Sequence, residues 1–149
     1  MITVFGRLAL AAAFLAAVTD RLGVWGPYGT VNVAWGDMQR FQAYTARLNP
    51  WFPASVIPPL SWVVTGLEIA LGIGLLVGFR TRRVSLLSAI LLLAFATGMT
   101  AGTGLKSALN ASVLSAAACA FLLWQREPDR YTLDYLNRRR PTAHVEPGG

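Results

Sequence analysis

The chain has 149 residues, of which 54% are hydrophobic and 13% charged, with a formal net charge of +6. That balance lies outside the range of a soluble domain and points to one domain of integral membrane type. The positive charges sit beside apolar spans instead of forming a basic face, so they are read as topology signals and not as a nucleic-acid surface.

The first apolar span runs from Ile2 to Thr19, with Arg7 inside it, and ends at the pair Asp20 and Arg21. An alanine-rich core of this length would also suit a cleaved signal peptide. Against that reading, apolar residues precede the only positive charge and three further spans follow.

Residues 22–60 form a long connection rich in Gly, Pro and aromatics. Within it DMQRFQAYTARL, Asp37 to Leu48, reads as an amphipathic helix. Met38, Phe41, Tyr44 or Thr45, and Leu48 recur at helical spacing, while Arg40 and Arg47 fall elsewhere on the surface. Asp37 is the expected N-cap and Asn49-Pro50 the expected stop. This helix is expected to lie on the membrane surface or to fold over the bundle as a lid.

The second span is Ser61 to Phe79, the third Val84 to about Ala101, and the fourth about Ala108 to Trp124. Tight turns at Arg80 to Arg83 and Gly102 to Ser107 join them in antiparallel fashion. The predicted fold is an all-α integral membrane protein. Residues 1–125 make a four-transmembrane-helix antiparallel bundle with an outer amphipathic helix between the first and second spans. Residues 126–149 make a polar cytoplasmic tail, with a short helix expected over 131–140.

Eight arginines (80, 82, 83, 126, 130, 138, 139 and 140) would share one side of the membrane. Arg21, Arg40, Arg47 and Lys106 would share the other. The excess places both termini in the cytoplasm, in a bacterial inner membrane, and turns the long loop outward. Trp25, Trp35, Trp51 and Trp62 then fall at the outer interface and Trp124 at the inner one.

A charge at the centre of a membrane helix costs roughly 3 kcal/mol on insertion scales, so Glu68 needs a partner or a proton. Ser61, Thr65, Glu68 and Gly72 share one face of the second helix, which must point into the bundle. Arg7 is the matching anomaly in the first span, and an Arg7 to Glu68 pair is one reading. In the other, Arg7 snorkels to lipid phosphate and Glu68 stays protonated. Such a pair serves either as a structural lock between helices or as the polar end of a pocket for an amphiphile.

The fourth span carries Ser112, Ser115 and Cys119 at helical spacing, a stripe that suits close helix packing or lines the same pocket. Asn110-Ala-Ser also fits a glycosylation sequon, discounted because it lies against the membrane. Gly74 and Gly78, with Gly66 and Gly72, mark close backbone approach. Asp20, Arg21 and Lys106 are read as an outer polar group, hydrated or forming the mouth of a pocket.

One cysteine excludes an intramolecular disulfide, and one histidine, His144, excludes a bis-histidine haem site. No metal-ligand constellation is visible, and no cofactor is expected to be held by protein ligands.

The segments GRLALAAAFLAAVTDRLG (Gly6 to Gly23) and LEIALGIGLLVGFRTRRVSLLSAILLL (Leu67 to Leu93), with the fourth helix from Ser107, resemble the DoxX family of small four-helix membrane proteins. The similarity covers roughly Phe5 to Trp124. Its most distinctive piece is the progression Glu68, Gly72, Gly78, Arg80, Arg82. The resemblance implies a redox-associated role, since some relatives are subunits of a thiosulfate:quinone oxidoreductase and others are linked to thiol or oxidative stress. It carries the family's intramembrane arginine and glutamate onto Arg7 and Glu68, and the charged pair ending its first helix onto Asp20 and Arg21.

Two functions are therefore expected from the sequence. One is a redox-associated protein engaging a quinone or similar amphiphile in a polar intramembrane pocket. The other is a non-catalytic accessory subunit that packs against a larger electron-transfer complex or forms a homo-oligomer within membrane lipids. A small-solute or proton pathway through Glu68 is a weaker third.

Overall fold

The computed structural model describes residues 2–126 and 132–134, and among them every regular element is helical. α1 (Ile2–Arg21) is alanine-rich and free of proline, so nothing interrupts it before the loop that begins at Gly23. It runs two residues beyond the predicted span, which puts Asp20 and Arg21 on helical backbone. Both side chains are buried.

α2 (Met38–Leu48) starts at Asp37, whose Oδ1 accepts the Arg40 backbone N–H at 2.8 Å. It stops at Asn49, where Nδ2 donates to the Thr45 carbonyl at 3.0 Å. Phe41 and Thr45, one helical turn apart, are buried, while Arg40 and Arg47 face out.

A short 3-10 turn, Ala54–Val56, feeds α3 (Ile57–Val77). Two prolines, Pro58 and Pro59, occupy the first turn of α3, where a missing N–H costs nothing. The helix therefore begins four residues before the predicted Ser61. Gly78 ends it in the left-handed region, at φ 69.

α4 (Thr81–Thr103) follows at once, and its first amides are capped from a distant part of the chain. Asp134 accepts the Arg80 and Thr81 N–H groups at 2.7 and 2.6 Å, so a residue of the tail closes the α3–α4 turn. The rest of the short helix expected over 131–140 lies outside the described residues.

The fourth apolar stretch is two helices, not one: α5 (Leu105–Asn110) and α6 (Val113–Gln125). Ser112 sits between them in the left-handed region, at φ 54. No glycine or proline in Asn110-Ala-Ser announces this break.

α1, α3, α4 and α6 share one core, in which Leu10, Phe14, Leu75, Leu92, Ala117 and Ala120 meet. α1 packs chiefly on α3, and α4 on α6. Small residues set the spacing: a Cβ on Gly72 would lie 3.1 Å from Leu15 Cγ, and one on Gly74 would lie 3.2 Å from Val84. This fixes the register of the antiparallel pair α1–α3, with Phe14 and Leu15 beside Gly72. Arg7 lies beside Gly78, and Arg21 beside Thr65.

Three helical stretches, Ile2–Arg21, Ala54–Val77 and Thr81–Thr103, are long and apolar enough to cross a membrane, and Val113–Gln125 is a shorter apolar helix. Their outward faces carry Phe5, Val63, Ile73, Leu87, Ile90 and Leu122, all exposed. An apolar exterior around a core that also holds Ser85, Ser88 and Glu68 is the arrangement expected where lipid, not water, is the solvent.

Candidate functional site

Glu68 is 2% exposed and its counter-ion is Arg21, itself 3% exposed. The guanidinium meets the carboxylate fork to fork: Nη1 donates to Oε2, and Nη2 donates to Oε1 at 3.0 Å. Nη1 also donates to Thr65 Oγ1 at 3.1 Å. Thr65 and Ser61 pass their own hydroxyl hydrogens back to the carbonyls of Ser61 and Ile57, one turn earlier. The polar face of Ser61, Thr65 and Glu68 is thus assembled as one buried unit around Arg21.

The pairing of Glu68 with Arg7 is corrected by this geometry. Gly78, beside Arg7, is ten residues from Glu68, about 15 Å along the helix axis at 1.5 Å per residue, beyond the reach of a side chain. Arg7 is nevertheless buried, at the opposite end of the bundle.

The outer face of Arg21 is covered by aromatic rings. Its Cζ lies 3.6 Å from the Phe41 ring centroid and 5.2 Å from that of Trp35. Trp35 in turn meets Phe41 edge to face at 5.3 Å. A desolvated cation on an aromatic face contributes about 2 kcal/mol, so these contacts help hold α2 down on the bundle. Trp35, read from the sequence as an interfacial anchor, therefore belongs to the site.

Asp20 positions that ring. Its carboxylate accepts three backbone N–H groups, from Ala34 at 2.8 Å, Trp35 at 3.2 Å and Gly36 at 2.9 Å. Gly36 has φ +72, and a Cβ there would collide with the backbone at Pro27 and Tyr28, so only glycine fits the turn. Adjacent residues at the end of α1 thus divide the work. Asp20 fixes the loop and Arg21 fixes the glutamate.

The expected outer polar group does not form as one unit. Asp20 and Arg21 are buried and directed to different partners, and Lys106 is exposed on α5. Ser112, at the break, and Ser115, on the face of α6 away from the buried Ala117 and Ala120, are also exposed, and neither lines the cavity.

Between α2 and the helices beneath it lies a cavity of about 580 Å³. Its walls are mostly apolar, with Phe14, Leu60, Val64, Leu92, Phe95 and Val113 among them. Arg21 and Glu68 line one part of it, and Trp35, Phe41, Tyr44 and Leu48 form the roof. The roof is seated on α4 as well, since a Cβ on Gly102 would run into the backbone of Arg47 and Leu48.

This combination of an apolar chamber and a concentrated polar end matches the usual make-up of a small-molecule site. Among the described residues no three His, Cys, Asp or Glu side chains come together to hold a metal ion.

The sequence points to Glu68, Thr65 and α2, and not to Trp35, to Phe41 as a cation partner, or to the two roles of Asp20 and Arg21. The available signal was helix register: in an antiparallel hairpin of spans, the end of α1 must face the start of α3.

Outside the spans, Asp37 shows the electrostatics of the roof. Its carboxyl is held below the ordinary aspartate range, chiefly by the Arg40 backbone N–H it accepts, with the Arg40 side chain adding to the effect.

Residues 1–112 match the family model described as methylamine utilisation protein MauE, a stretch that contains α1 to α5 and with them Asp20, Arg21 and Glu68. No curated protein and no solved structure matches the chain.

Proposed function

The chain belongs to the MauE family, whose members are related to DoxX-like membrane proteins, and from that premise we propose that this multi-pass membrane protein binds a quinone or similar amphiphile as a redox-associated component of methylamine utilisation. The observation that carries the proposal is the roofed cavity of about 580 Å³ with the buried Arg21–Glu68 pair at its polar end. Its volume lies within the range of sites for drug-sized ligands. Use of an amine as a nutrient requires its oxidation, and the electrons released need an acceptor; a membrane-borne carrier is one that such a chamber suits.

The topology proposed with it has four crossings. α6 alone, at 13 residues, spans about 20 Å, short of a hydrocarbon core of about 30 Å, and α5 supplies the missing length. Both termini lie in the cytoplasm of a bacterium, with α2 outside. Burial of Arg21 in an ion pair removes it from the outer count of positive charges, which sharpens the arginine asymmetry.

A second reading, an accessory subunit of a larger membrane complex, draws on Ser112 and Ser115, two hydroxyl side chains exposed where α6 faces outward. Polar groups on such a face suit hydrogen bonding to a neighbouring helix.

Purification in a mild detergent, followed by organic extraction, separates the two. Quinone recovered at about one per chain supports the binding reading. A quinone-free chain in stoichiometric association with a large complex supports the accessory one.

A further inference from the structure

We infer that the cavity selects a neutral amphiphile whose head group accepts a hydrogen bond from Arg21, and that it rejects alkylammonium cations, including methylammonium itself. The inference rests on the binding reading above and specifies the head group that the site takes.

The argument starts from donors and acceptors. A guanidinium has five N–H groups. Nη1 uses both of its hydrogens, on Thr65 and Glu68, and Nη2 uses one on Glu68. Nε is buried with no acceptor at all. A buried N–H without an acceptor is costly, more so when the group is charged, so the site is energetically incomplete as it stands. Arg21 lines the cavity, so an acceptor entering there approaches the guanidinium whose Nε lacks a partner.

Charge decides the next point. Arg21 and Glu68 neutralise each other, and no other ionisable side chain among the described residues lines the cavity apart from Tyr44. A cationic or anionic head would bring an uncompensated charge into an apolar chamber, losing its hydration without a counter-ion in return. A neutral carbonyl meets the free donor without that cost.

The same geometry excludes the amine. Aromatic faces beside a carboxylate are what an ammonium ion seeks, and Phe41, Trp35 and Glu68 provide both. Here they are already engaged by the guanidinium of Arg21, which covers the Phe41 face at 3.6 Å and takes both carboxylate oxygens. Methylammonium would also leave most of a chamber of about 580 Å³ unfilled. The ordinary expectation from a methylamine-utilisation family, an amine site, is therefore not met at this position.

A carbonyl head could come from an oxidised quinone or from a lipid ester, and ligand competition distinguishes them. The protein is reconstituted in phosphatidylcholine nanodiscs, and Trp fluorescence, to which Trp35 in the roof contributes, is followed on titration. The probes are decyl-benzoquinone, its reduced quinol, dioctanoylglycerol, decyltrimethylammonium and methylammonium chloride.

The expected order is decyl-benzoquinone tightest, with the quinol about tenfold weaker because it replaces carbonyl acceptors by hydroxyl groups. Neither ammonium probe should compete. In Arg21→Lys, which keeps the charge but loses Nε–H, the preference for quinone over quinol should vanish. If that variant does not fold, the order of probes on the unaltered protein decides alone.

Equal or tighter binding of the quinol, or competition by either cation, overturns the head-group assignment while leaving an amphiphile site in place. Tighter binding of dioctanoylglycerol than of the quinone supports recognition of a neutral acceptor but overturns the quinone identity. No response to any amphiphile overturns the binding reading itself, and the head-group assignment with it.

Discussion

Arg21, the last residue of α1, grips Glu68 of α3 through both carboxylate oxygens while Phe41 of the roof helix covers its other side. One side chain therefore joins three elements: two membrane-length helices and the lid. Removing either member of the pair leaves a buried charge without compensation, which costs about 3–5 kcal/mol. Arg21→Gln and Glu68→Gln are each expected to lower the melting temperature in detergent strongly, and the double variant to recover a large part of the loss.

Arg7 serves as the control for that cycle. It lies beside Gly78, remote from Glu68, so Arg7→Gln and Glu68→Gln should be additive to within about 0.5 kcal/mol. Strong coupling between Arg7 and Glu68, with none between Arg21 and Glu68, would contradict the register of α1 against α3.

Asp20 should control the roof without touching the glutamate. Asp20→Ala removes the acceptor of three backbone N–H groups at Ala34, Trp35 and Gly36. Hydrogen exchange of those three amides is expected to accelerate by at least tenfold, with amides in the middle of α3 unchanged. Uniform acceleration along the chain would mean that Asp20 supports the whole bundle and not the loop.

Two glycines give opposite expectations for the same change. Gly102→Ala places a Cβ against the backbone of Arg47 and Leu48 and should lift the end of α2 from α4. Gly66→Ala meets open space and should be neutral or stabilising by up to about 1 kcal/mol, the helix preference of alanine over glycine. Thermal melting of both variants checks the pair; a destabilised Gly66→Ala would show that this face is covered by another helix in the membrane.

The roof helix should also respond to acid. Asp37 has a folded pKa below its unfolded value of about 4, because it accepts the Arg40 N–H as an N-cap. Its stabilising contribution is complete above the unfolded value and is lost as pH falls through the folded one. Fraying of α2 is expected on acidification below about pH 4, and Asp37→Asn, which keeps a capping oxygen but does not titrate, should reduce that dependence.

Much of the scaffold could be read from the sequence because its causes are local. Long charge-free stretches give the spans, and Asp37 with the spacing of Phe41 and Thr45 gives α2. The partner of Glu68 could not be read the same way. A charge inside a span, Arg7, looks anomalous, whereas Arg21 at a span's end looks like an ordinary interfacial charge. Only the packing of Gly72 against Phe14 and Leu15 sets the register that brings Arg21 inside.

Ser112 does not line the cavity for a related reason. Helical spacing assumes a continuous helix, and the left-handed turn at Ser112 breaks it without a glycine to mark the place. The resemblance to DoxX proteins likewise pointed near the family and not at it, since the chain is of the MauE family.

Native mass spectrometry of the protein released from its own membrane tests the cavity most directly, with Gly98→Leu as the comparison. Gly98 lines the cavity, and a Cβ there meets nothing closer than Leu48 Cβ at 3.8 Å, so leucine can project into the chamber and narrow it without disturbing the fold. The expected result is a mass increment of one neutral amphiphile on the unaltered chain, reduced in occupancy on Gly98→Leu at an unchanged melting temperature. A bare unaltered chain, or an increment undiminished by the narrowed cavity, would contradict binding beside Arg21 and Glu68.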